Sequence, residues 1–291
     1  MLQPLLLLGQ TGLAKQSEIG FALAMAHARL LQLPEAFKGV LVVGDVHGQS
    51  HLLAPMLELA AAAELFFVGL GDLVDRGADA PGVLRLVRAC VEAGRGLFLR
   101  GNHDDKLFRI LLGRRTYVDN DLAETLDQLH MAEDGRALMD WFRQVYPTMP
   151  LVLGLGSTVM VHGALDPAML PPVSVFPKRL EALALYGEVT GERDAEGKPV
   201  RIYRWLDRLP ADLLVIAGHD PLSNGGLRLR IGQKGARLLH LDSGAGQGGP
   251  LSAAQLDRDG HLLATLQVRP GERVPQPCPS LPLTPTTPAL S

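Results

Sequence analysis

The sequence has few of the features that mark disulfide-rich secreted domains or membrane proteins. It contains two cysteines in 291 residues, Cys90 and Cys278, which excludes a framework of disulfide bonds and favours a reducing, cytoplasmic setting. The four leucines at residues 5–8 are too few for the apolar core of a signal peptide. No stretch approaches the roughly 18 consecutive apolar residues of a membrane span, so no membrane partner is expected.

The chain also lacks a strong excess of either charge. Its net charge of −3 and its charged fraction of 20% do not predict broad attraction to nucleic acids or membrane surfaces. Apolar residues make up 47% of the chain, and a chain of this length can bury a full core. We therefore expect a globular protein without stable nucleic-acid binding.

The distribution of apolar residues and prolines divides the chain into three segments. Residues 1–38 are predicted to be a helical lead-in, because apolar residues recur at helical spacing over residues 17–33. Residues 39–268 are predicted to form the main domain. Residues 269–291 hold seven of the 21 prolines and few large apolar side chains, so this tail is expected to be flexible or held only by contact with a neighbour.

Short apolar strands alternate with amphipathic helices in the first part of the main domain. Strands are predicted at residues 40–43, 65–70 and 97–99, with helices between them at residues 50–63 and 80–93. This alternation is typical of a parallel sheet that is covered on both faces.

Strands dominate again after a helical stretch between residues 104 and 147. A hairpin is predicted over residues 151–161, and the later strands are predicted at residues 213–217, 227–231, 237–241, 251–256 and 262–268. These strands predict a second, largely antiparallel sheet that packs on the first. The expected fold is α/β, a four-layer α/β/β/α sandwich with two mixed sheets.

Polar segments follow the first three strands directly. They read Gly-Asp-Val-His-Gly at residues 44–48, Gly-Asp-Leu-Val-Asp-Arg-Gly at 71–77 and Gly-Asn-His-Asp at 101–104. Loops at the carboxyl ends of parallel strands converge on one crevice, where ligands bind. Two more segments, Val-His-Gly at 161–163 and Gly-His-Asp at 218–220, follow later strands. All five are therefore predicted to meet in one site.

These segments supply carboxylate, imidazole and amide groups but no thiolate. The candidate metal ligands are Asp45, His47, Asp72, Asn102, His162 and His219. Such ligands suit divalent ions of the first transition row, and the Asp-x-His spacing puts both side chains on one side of an extended segment. We predict two divalent ions, with Mn²⁺ preferred and Ni²⁺, Fe²⁺/Fe³⁺ or Zn²⁺ as alternatives. Any one of these residues could instead be a helix cap or a core histidine, but the set together favours a metal centre.

Residues 39–268 resemble the calcineurin-like metallophosphoesterase superfamily, in the branch of the phosphoprotein phosphatases, which carries the three motifs in this order. Further stretches are similar to the phosphatase module of bacterial RNA-repair polynucleotide kinase-phosphatase and to bacterial asymmetric dinucleoside tetraphosphatases. These stretches lie at residues 102–106, 122–126, 185–191, 242–244 and 248–252. The chain departs from the family pattern at Asp220, where threonine is usual, and at Ala245, where cysteine is usual.

The resemblance implies a role for each motif residue. Asp45 and His47 would bind the first ion, Asp72 would bridge both ions, and Asn102, His162 and His219 would bind the second. The catalytic residues implied are Arg76, which would bind the phosphate, His103, which would protonate the leaving oxygen, and Asp75, which would orient His103. Substrate contacts are expected from Arg76, Asn102 and Tyr186, although Tyr186 could equally be a packing residue.

General chemistry agrees with this division of roles. Two cations about 3.5–4 Å apart lower the pKa of a water and stabilise the attacking and leaving oxygens. A guanidinium matches phosphate oxygens with two parallel hydrogen bonds, and a histidine can donate a proton to a departing oxygen near neutral pH. No covalent intermediate is needed.

The function predicted from the sequence is hydrolysis of phosphomonoesters by metal-activated water, with phosphodiesters such as 2′,3′-cyclic phosphates as further substrates. The alternatives are a dinucleoside polyphosphate hydrolase, a serine/threonine protein phosphatase and a non-catalytic binding module. The expected partner is a phosphorylated small molecule, a nucleotide or a phosphoprotein, because the same fold and metal site serve many substrates.

Overall fold

A computed structural model describes residues 26–195, 197, 199–221, 225–278 and 283–285. Within these residues the α-helices are α1 (Ser50–Ala62), α2 (Ala80–Glu92), α3 (Asn102–Leu111), α4 (Asn120–Met131), α5 (Gly135–Val145) and α6 (Lys178–Tyr186). The strands of the amino-terminal half are β1 (Ala28–Leu30), β2 (Gly39–Val43), β3 (Leu65–Gly69), β4 (Gly96–Phe98), β5 (Val152–Leu155) and β6 (Thr158–Val161). The later strands are β7 (Glu188–Arg193), β8 (Pro199–Ile202), β9 (Leu214–Ala217), β10 (Arg228–Ile231), β11 (Arg237–His240), β12 (Leu251–Asp257), β13 (Leu262–Val268), β14 (Gln276–Pro277) and β15 (Leu283–Pro285).

Side-chain caps start two of the helices that surround the site. The Asp79 carboxylate accepts a hydrogen bond from the Gly82 amide at 2.9 Å, and Pro81 lies in the first turn of α2, where a missing N–H costs nothing. The Asp119 carboxylate accepts in the same way from the Leu122 amide at the start of α4. These caps fix where the preceding loops end.

The first sheet has six strands in the order β14-β13-β12-β2-β3-β4. Strands β2, β3 and β4 run parallel, which confirms the alternation of strands and helices read from the sequence. Strand β12 joins β2 in antiparallel register and continues to β13. Residues 251–257 and 262–268 therefore extend the first sheet, and their predicted place in the second sheet was wrong.

The second sheet has seven strands in the order β1-β5-β6-β9-β11-β10-β15. The hairpin β5–β6 and the pair β10–β11 are antiparallel, but β1–β5, β6–β9, β9–β11 and β10–β15 are parallel. The sheet is thus mixed, and the prediction of a largely antiparallel sheet was wrong. Parallel pairs arise because long crossovers, rather than tight turns, connect β6 to β9 and β9 to β11 along the chain.

Alternate side chains of the second sheet enter two different cores. In β6 the Met160 side chain belongs to the core shared with the first sheet, whereas Val159 and Val161 belong to a second core with α6. Both faces of the second sheet are therefore buried, as the period of two along a strand requires. Helices α1 to α5 supply side chains to the core that the first sheet also lines, and the predicted two-sheet α/β architecture is confirmed.

The predicted helix over residues 17–33 was wrong where the structure describes it. Residues Ala28–Leu30 form strand β1, which adds in parallel to the edge of β5 with Ala28 opposite Val152. Ala28 is fully buried, and its amide donates to the Val173 carbonyl at 2.9 Å. Pairing at an open sheet edge outweighed a weak local periodicity. Residues 17–25 lie outside the described residues.

Two segments of the tail form short strands. Strand β14 pairs with β13, and strand β15 pairs with β10. These pairings give backbone hydrogen-bond partners to residues 276–277 and 283–285, and the flexibility of the tail stays a prediction. Residues 279–282 and 286–291 lie outside the described part of the chain. Within that part, no helix is long and apolar enough to span a membrane.

Candidate metal centre

The predicted ligands follow strands of both sheets. Asp45 and His47 come after β2, Asp72 after β3, and Asn102 begins α3 after β4, while His162 and His219 come after β6 and β9 of the second sheet. All are buried except His219, which is half-buried. The two sheets place their polar loops at one edge, as predicted from the parallel strands.

Asp72 lies at the centre of this cluster. Its Oδ2 atom is 3.4 Å from His162 Nε2, 3.7 Å from His47 Nε2 and 4.0 Å from His103 Nε2. Two sets of three potential ligands, each set within 4.8 Å, share this carboxylate: His47–Asp72–His103 and Asp72–His162–His219. A carboxylate common to two ligand sets could hold two cations close together, as two-metal sites do.

Backbone carbonyls orient two of the imidazoles. His47 Nδ1 lies 3.0 Å from the Val74 carbonyl, and His162 Nδ1 lies 3.0 Å from the Leu70 carbonyl. A neutral ring that donates from Nδ1 presents the lone pair of Nε2 on its other side, which here faces Asp72. Such outer hydrogen bonds are the usual support of metal-binding histidines.

The charges of the cluster also fit a divalent ion. Burial lowers the pKa of His162, but the Asp72 and Asp45 carboxylates outweigh burial and raise it to about 9. Without a metal ion, a proton on His162 therefore offsets the negative charge of the buried carboxylates. A bound cation would take over this role and displace the proton. The Asp45 Oδ2 atom accepts from the His219 amide at 3.0 Å. Its Oδ1 atom is buried and has no hydrogen-bond partner among the described residues, which is costly without a cation.

Arg76 reaches both ligand sets from the rim of the cluster. Its Nη1 lies 3.0 Å from His47 Nε2 and its Nη2 lies 3.1 Å from His103 Nε2. Its Nε lies 3.5 Å from the Asp121 carboxylate, and 30% of the side chain is exposed. The fork is thus open to a ligand while it remains beside the buried histidines.

His103 belongs to a chain of hydrogen bonds that runs into the core. Its Nδ1 lies 2.6 Å from Asp75 Oδ2, and Asp75 Oδ1 accepts from the Thr125 hydroxyl at 2.8 Å. The same hydroxyl accepts from the Asp75 amide at 3.0 Å. Burial lowers the pKa of His103, but the Asp72 and Asp75 carboxylates raise it further, so that the net shift is upward. The structure thus fixes the orientation of this imidazole through the carboxylate at its Nδ1 atom.

Three charged residues of the site were missed by the sequence analysis. Asp104 ties two motif loops together, because its carboxylate accepts from the amides of Leu73 at 2.9 Å and Gly101 at 3.3 Å. Burial raises the pKa of Asp104 to about 7, and burial raises that of Asp242 to about 6. Asp104 and Asp242 both lie in sequence motifs of the family. The sequence does not show that they are buried close to Asp72, and this is why they were missed.

Arg201 is the third missed residue, and no motif marks it. It lies on β8 of a separate two-stranded hairpin with β7. Its Nη1 donates to the Tyr186 carbonyl at 2.6 Å, and its Nε lies 3.8 Å from Asp220 Oδ1. Arg201 and Arg76 both line a cavity of about 300 Å³ over the ligand cluster. Two guanidinium groups therefore reach one pocket.

Tyr186 is placed beside this pocket rather than in its lining. Its carbonyl lies 3.1 Å from His219 Nε2, whereas the residue lines a separate hollow and is 39% exposed. The additional carboxylate of the chain, Asp220, lines the pocket and accepts from the Tyr203 hydroxyl.

The loops of the site contain strained backbone. Six non-glycine residues in the described part of the chain have positive φ, and five of them belong to the site, with φ between 47° and 71°. These five are His47, Asp72, Asp75, Arg76 and His219. Side chains rarely adopt this conformation unless the surrounding structure imposes it, and such residues cluster at active sites.

The comparison with known proteins agrees with this architecture and site. The family model of calcineurin-like phosphoesterases matches residues 39–245. The chain therefore belongs to the calcineurin-like phosphoesterase family, and it is a metal-dependent phosphoesterase of mixed α/β fold.

Two bacterial relatives of the chain share one name and one enzymatic activity. The asymmetrical bis(5′-nucleosyl)-tetraphosphatase PrpE of Halalkalibacterium halodurans is 30% identical over 228 residues, which are 73% of this chain and 87% of the relative. The protein of the same name from Bacillus subtilis is 29% identical over 186 residues, which are 62% of this chain and 72% of the relative.

Solved structures share the fold at lower identity. One is provisionally assigned as a diadenosine tetraphosphatase, with a TM-score of 0.53, 23% identity and coverage of 84% of this chain and 100% of that chain. Another is the cold-active protein-tyrosine phosphatase of a Shewanella species, with a TM-score of 0.50, 14% identity and coverage of 89% and 84%. These similarities support the fold, and they do not identify the substrate.

Proposed function

We propose that this protein hydrolyses dinucleoside polyphosphates by cutting a phosphoric anhydride at a centre of two divalent ions, with Mn²⁺ as the preferred metal. This was an alternative in the sequence analysis, where phosphomonoester hydrolysis came first. The observation that carries it is the likeness to tetraphosphatases over 87% of a relative's length, combined with a ligand cluster that shares one carboxylate.

The proposed ligands are the six side chains of the cluster. They are Asp45, His47, Asp72, Asn102, His162 and His219. When bound, the ions would supply an activated water and positive charge for the phosphoryl oxygens. Asn102 Oδ1 lies 3.0 Å from His162 Nε2, so the amide oxygen and the imidazole nitrogen are close enough to serve one ion.

Arg76 and Arg201 are proposed to bind the phosphoryl group that is cut. A guanidinium can form two parallel hydrogen bonds to phosphate oxygens. Arg76 touches His103 Nε2, so a phosphate bound to its fork lies next to that nitrogen. His103 then donates its proton to the oxygen that leaves the phosphorus, and Asp75 holds the ring in place through Nδ1.

Phosphomonoester hydrolysis is the second candidate. The cavity over the ligand cluster has a volume of about 300 Å³, which suits one phosphoryl group with a small leaving group. The same proton donor and the same arginines would serve a monoester, so the two reactions differ in what occupies the space beyond the pocket.

The test is a panel of substrates with the Mn²⁺-loaded protein. Diadenosine tetraphosphate is expected to give ATP and AMP, the products of an asymmetric cut, with a higher kcat/KM than p-nitrophenyl phosphate or a phosphoserine peptide. Chromatography of the products checks this. Efficient turnover of a monoester or phosphopeptide without any cleavage of diadenosine tetraphosphate would overturn the proposal. The Asp72→Asn variant is the control and is expected to lose activity together with bound metal.

A further inference from the structure

A second hollow has a different chemical character from the cavity over the ligand cluster. Its volume is about 600 Å³, and its lining consists of Lys106, Arg109, Arg115, Thr116, Tyr117 and Tyr186. We call it the basic hollow, because three of these six residues are cations and none is an acid. A hollow of this composition attracts polyanions.

The basic hollow shares structural elements with the metal centre. Lys106 follows His103 on α3 by three residues and Arg109 follows Lys106 by three, so the side chains of each successive pair are neighbours on the helix surface. Tyr186 lines the hollow, while its carbonyl contacts His219 Nε2 at 3.1 Å and Arg201 Nη1 at 2.6 Å. The basic hollow and the ligand cluster therefore have helix α3 and residue Tyr186 in common.

Two of the three cations keep most of their capacity for an external anion. Lys106 Nζ lies 2.6 Å from Asp119 Oδ2 and is engaged there. Arg109 Nη1 lies 3.9 Å from Asp105 Oδ2, a distance that leaves its other donors open. Arg115 is exposed and forms no ion pair within the described residues.

The other lining residues suit a nucleoside. The Tyr117 side chain is 82% exposed and the Tyr186 side chain is 39% exposed, and exposed aromatic rings are platforms on which nucleobases stack. The Thr116 hydroxyl is buried and has no hydrogen-bond partner in the described part of the chain. A phosphate or ribose oxygen in the hollow would offer one after rotation of that side chain.

We propose that the basic hollow binds the part of the substrate that lies beyond the cleaved bond, a nucleoside with its attached phosphates. Arg109 and Arg115 bind the phosphate chain, and the Tyr117 and Tyr186 rings stack on the base. This assignment rests on the proposed function and extends it, because it names the residues that distinguish a dinucleoside polyphosphate from a simple phosphate ester.

A third hollow, which Tyr186 also lines, provides the matched control. It has a volume of about 350 Å³ and includes Arg179, Arg208 and Glu188. Arg208 Nη2 lies 3.4 Å from Asp166 Oδ2, and Glu188 adds a negative charge. This hollow is therefore less suited to a polyanion, and Arg179→Gln tests it directly.

The deciding measurement is calorimetric titration with the non-hydrolysable β,γ-imido analogue of ATP in the presence of Mn²⁺. The double variant R109Q/R115Q and the variant Tyr117→Ala are each expected to weaken binding by about tenfold, the scale of one lost stacked base or charged contact. Arg179→Gln is expected to bind as the unmodified protein does. Equal binding in all variants, or a loss confined to Arg179→Gln, would overturn the assignment.

Kinetics provide a second readout and separate this assignment from the proposed function. The ratio of kcat/KM on diadenosine tetraphosphate to kcat/KM on p-nitrophenyl phosphate is expected to fall about tenfold in R109Q/R115Q. If the unmodified protein does not cleave diadenosine tetraphosphate at all, the proposed function fails, while the calorimetric comparison still decides the role of the basic hollow.

Discussion

His103 joins the metal centre to the protein core, since Asp75 holds one ring nitrogen and Arg76 touches the other. If His103 donates the proton to the leaving oxygen, its removal should matter most where that oxygen is strongly basic. We expect His103→Ala to lower kcat on alkyl phosphates by a factor of roughly 100 or more. The loss on p-nitrophenyl phosphate, whose leaving group needs little protonation, should be much smaller.

The comparison requires both substrates to be measured under saturating Mn²⁺. His51→Ala is a suitable control, because His51 is exposed on α1 and outside the ligand cluster. Equal losses on the two substrates would argue against proton donation and in favour of a role of His103 in metal binding, where it also lies within reach of Asp72.

His240 makes the stability of the fold sensitive to acid. Burial, with help from the nearby charges of Arg230 and Arg228, lowers its pKa from 6.5 to about 3, and neither ring nitrogen has a hydrogen-bond partner among the described residues. The unfolded chain thus binds a proton between these pH values and the folded chain does not. The contribution of neutral His240 to the free energy of unfolding should be fully present above pH 6.5 and should decrease as the pH falls below that value.

Urea unfolding at pH 7.5 and pH 5.0 checks this expectation. We predict that His240→Phe, which keeps a ring next to Tyr203, removes about 2 kcal/mol of the loss between the two pH values. His51→Phe should leave the pH dependence as it is. The same acid sensitivity in both variants would show that other groups cause it.

The residues of the site differ in how far a sequence can reveal them. Asp45, Asp72 and His162 stand in short motifs after strands, and the structure brings them into one cluster. Their roles in binding metal stay predictions. Arg201 stands in a hairpin without a motif, and only the folded chain shows that it shares a pocket with Arg76. A contact between segments that are distant in sequence produces no motif in either segment.

At the scale of elements, helix α4 supports the catalytic loop through one hydroxyl. Thr125 donates to the Asp75 carboxylate and accepts from the Asp75 amide. We expect Thr125→Val, which keeps the shape, to destabilise the fold by about 1–3 kcal/mol because it leaves buried groups unpaired. It should also lower kcat on alkyl phosphates more than on p-nitrophenyl phosphate, since His103 loses its fixed orientation.

Urea unfolding and steady-state kinetics measure these two effects. Thr148→Val is the matched control, because the Thr148 hydroxyl donates to the Val145 carbonyl at the end of a helix. A loss of stability with equal effects on both substrates would show that Thr125 acts on the fold alone and not through His103.

The elements predicted best were those with strong periodicity and clear stops. Helix α2 and strand β3, for example, lie within a residue of their predicted bounds. Strands β1, β14 and β15 were missed, because short edge strands depend on pairing with a partner that is distant in sequence. The placement of β12 and β13 in the first sheet likewise follows from tertiary pairing, which the strand pattern does not encode.

At the scale of the whole molecule, the proposed metal centre would link the two sheets, since its proposed ligands come from both. Asp45 and Asp72 follow strands of the first sheet, and His162 and His219 follow strands of the second. Bound ions should therefore stabilise the entire fold. We expect a chelator to lower Tm by several degrees, because a ligand at 100 times its Kd contributes about 2.7 kcal/mol.

Differential scanning calorimetry with Mn²⁺ and with EDTA tests this coupling. In Asp72→Asn the difference between the two conditions should nearly vanish, since the shared carboxylate is lost. A chelator effect that persists unchanged in this variant would place the stabilising ion elsewhere in the protein.

The left-handed backbone at five positions of the site implies a trade-off between the stability of the fold and catalytic activity. Each such residue costs on the order of 1–3 kcal/mol, and glycine would adopt the same torsions without that cost. Laboratory evolution that selects for thermal stability alone should therefore favour glycine at positions such as Arg76. The resulting variants should be more stable but inactive. A durable and active catalyst has to gain its robustness from changes made far from the ions.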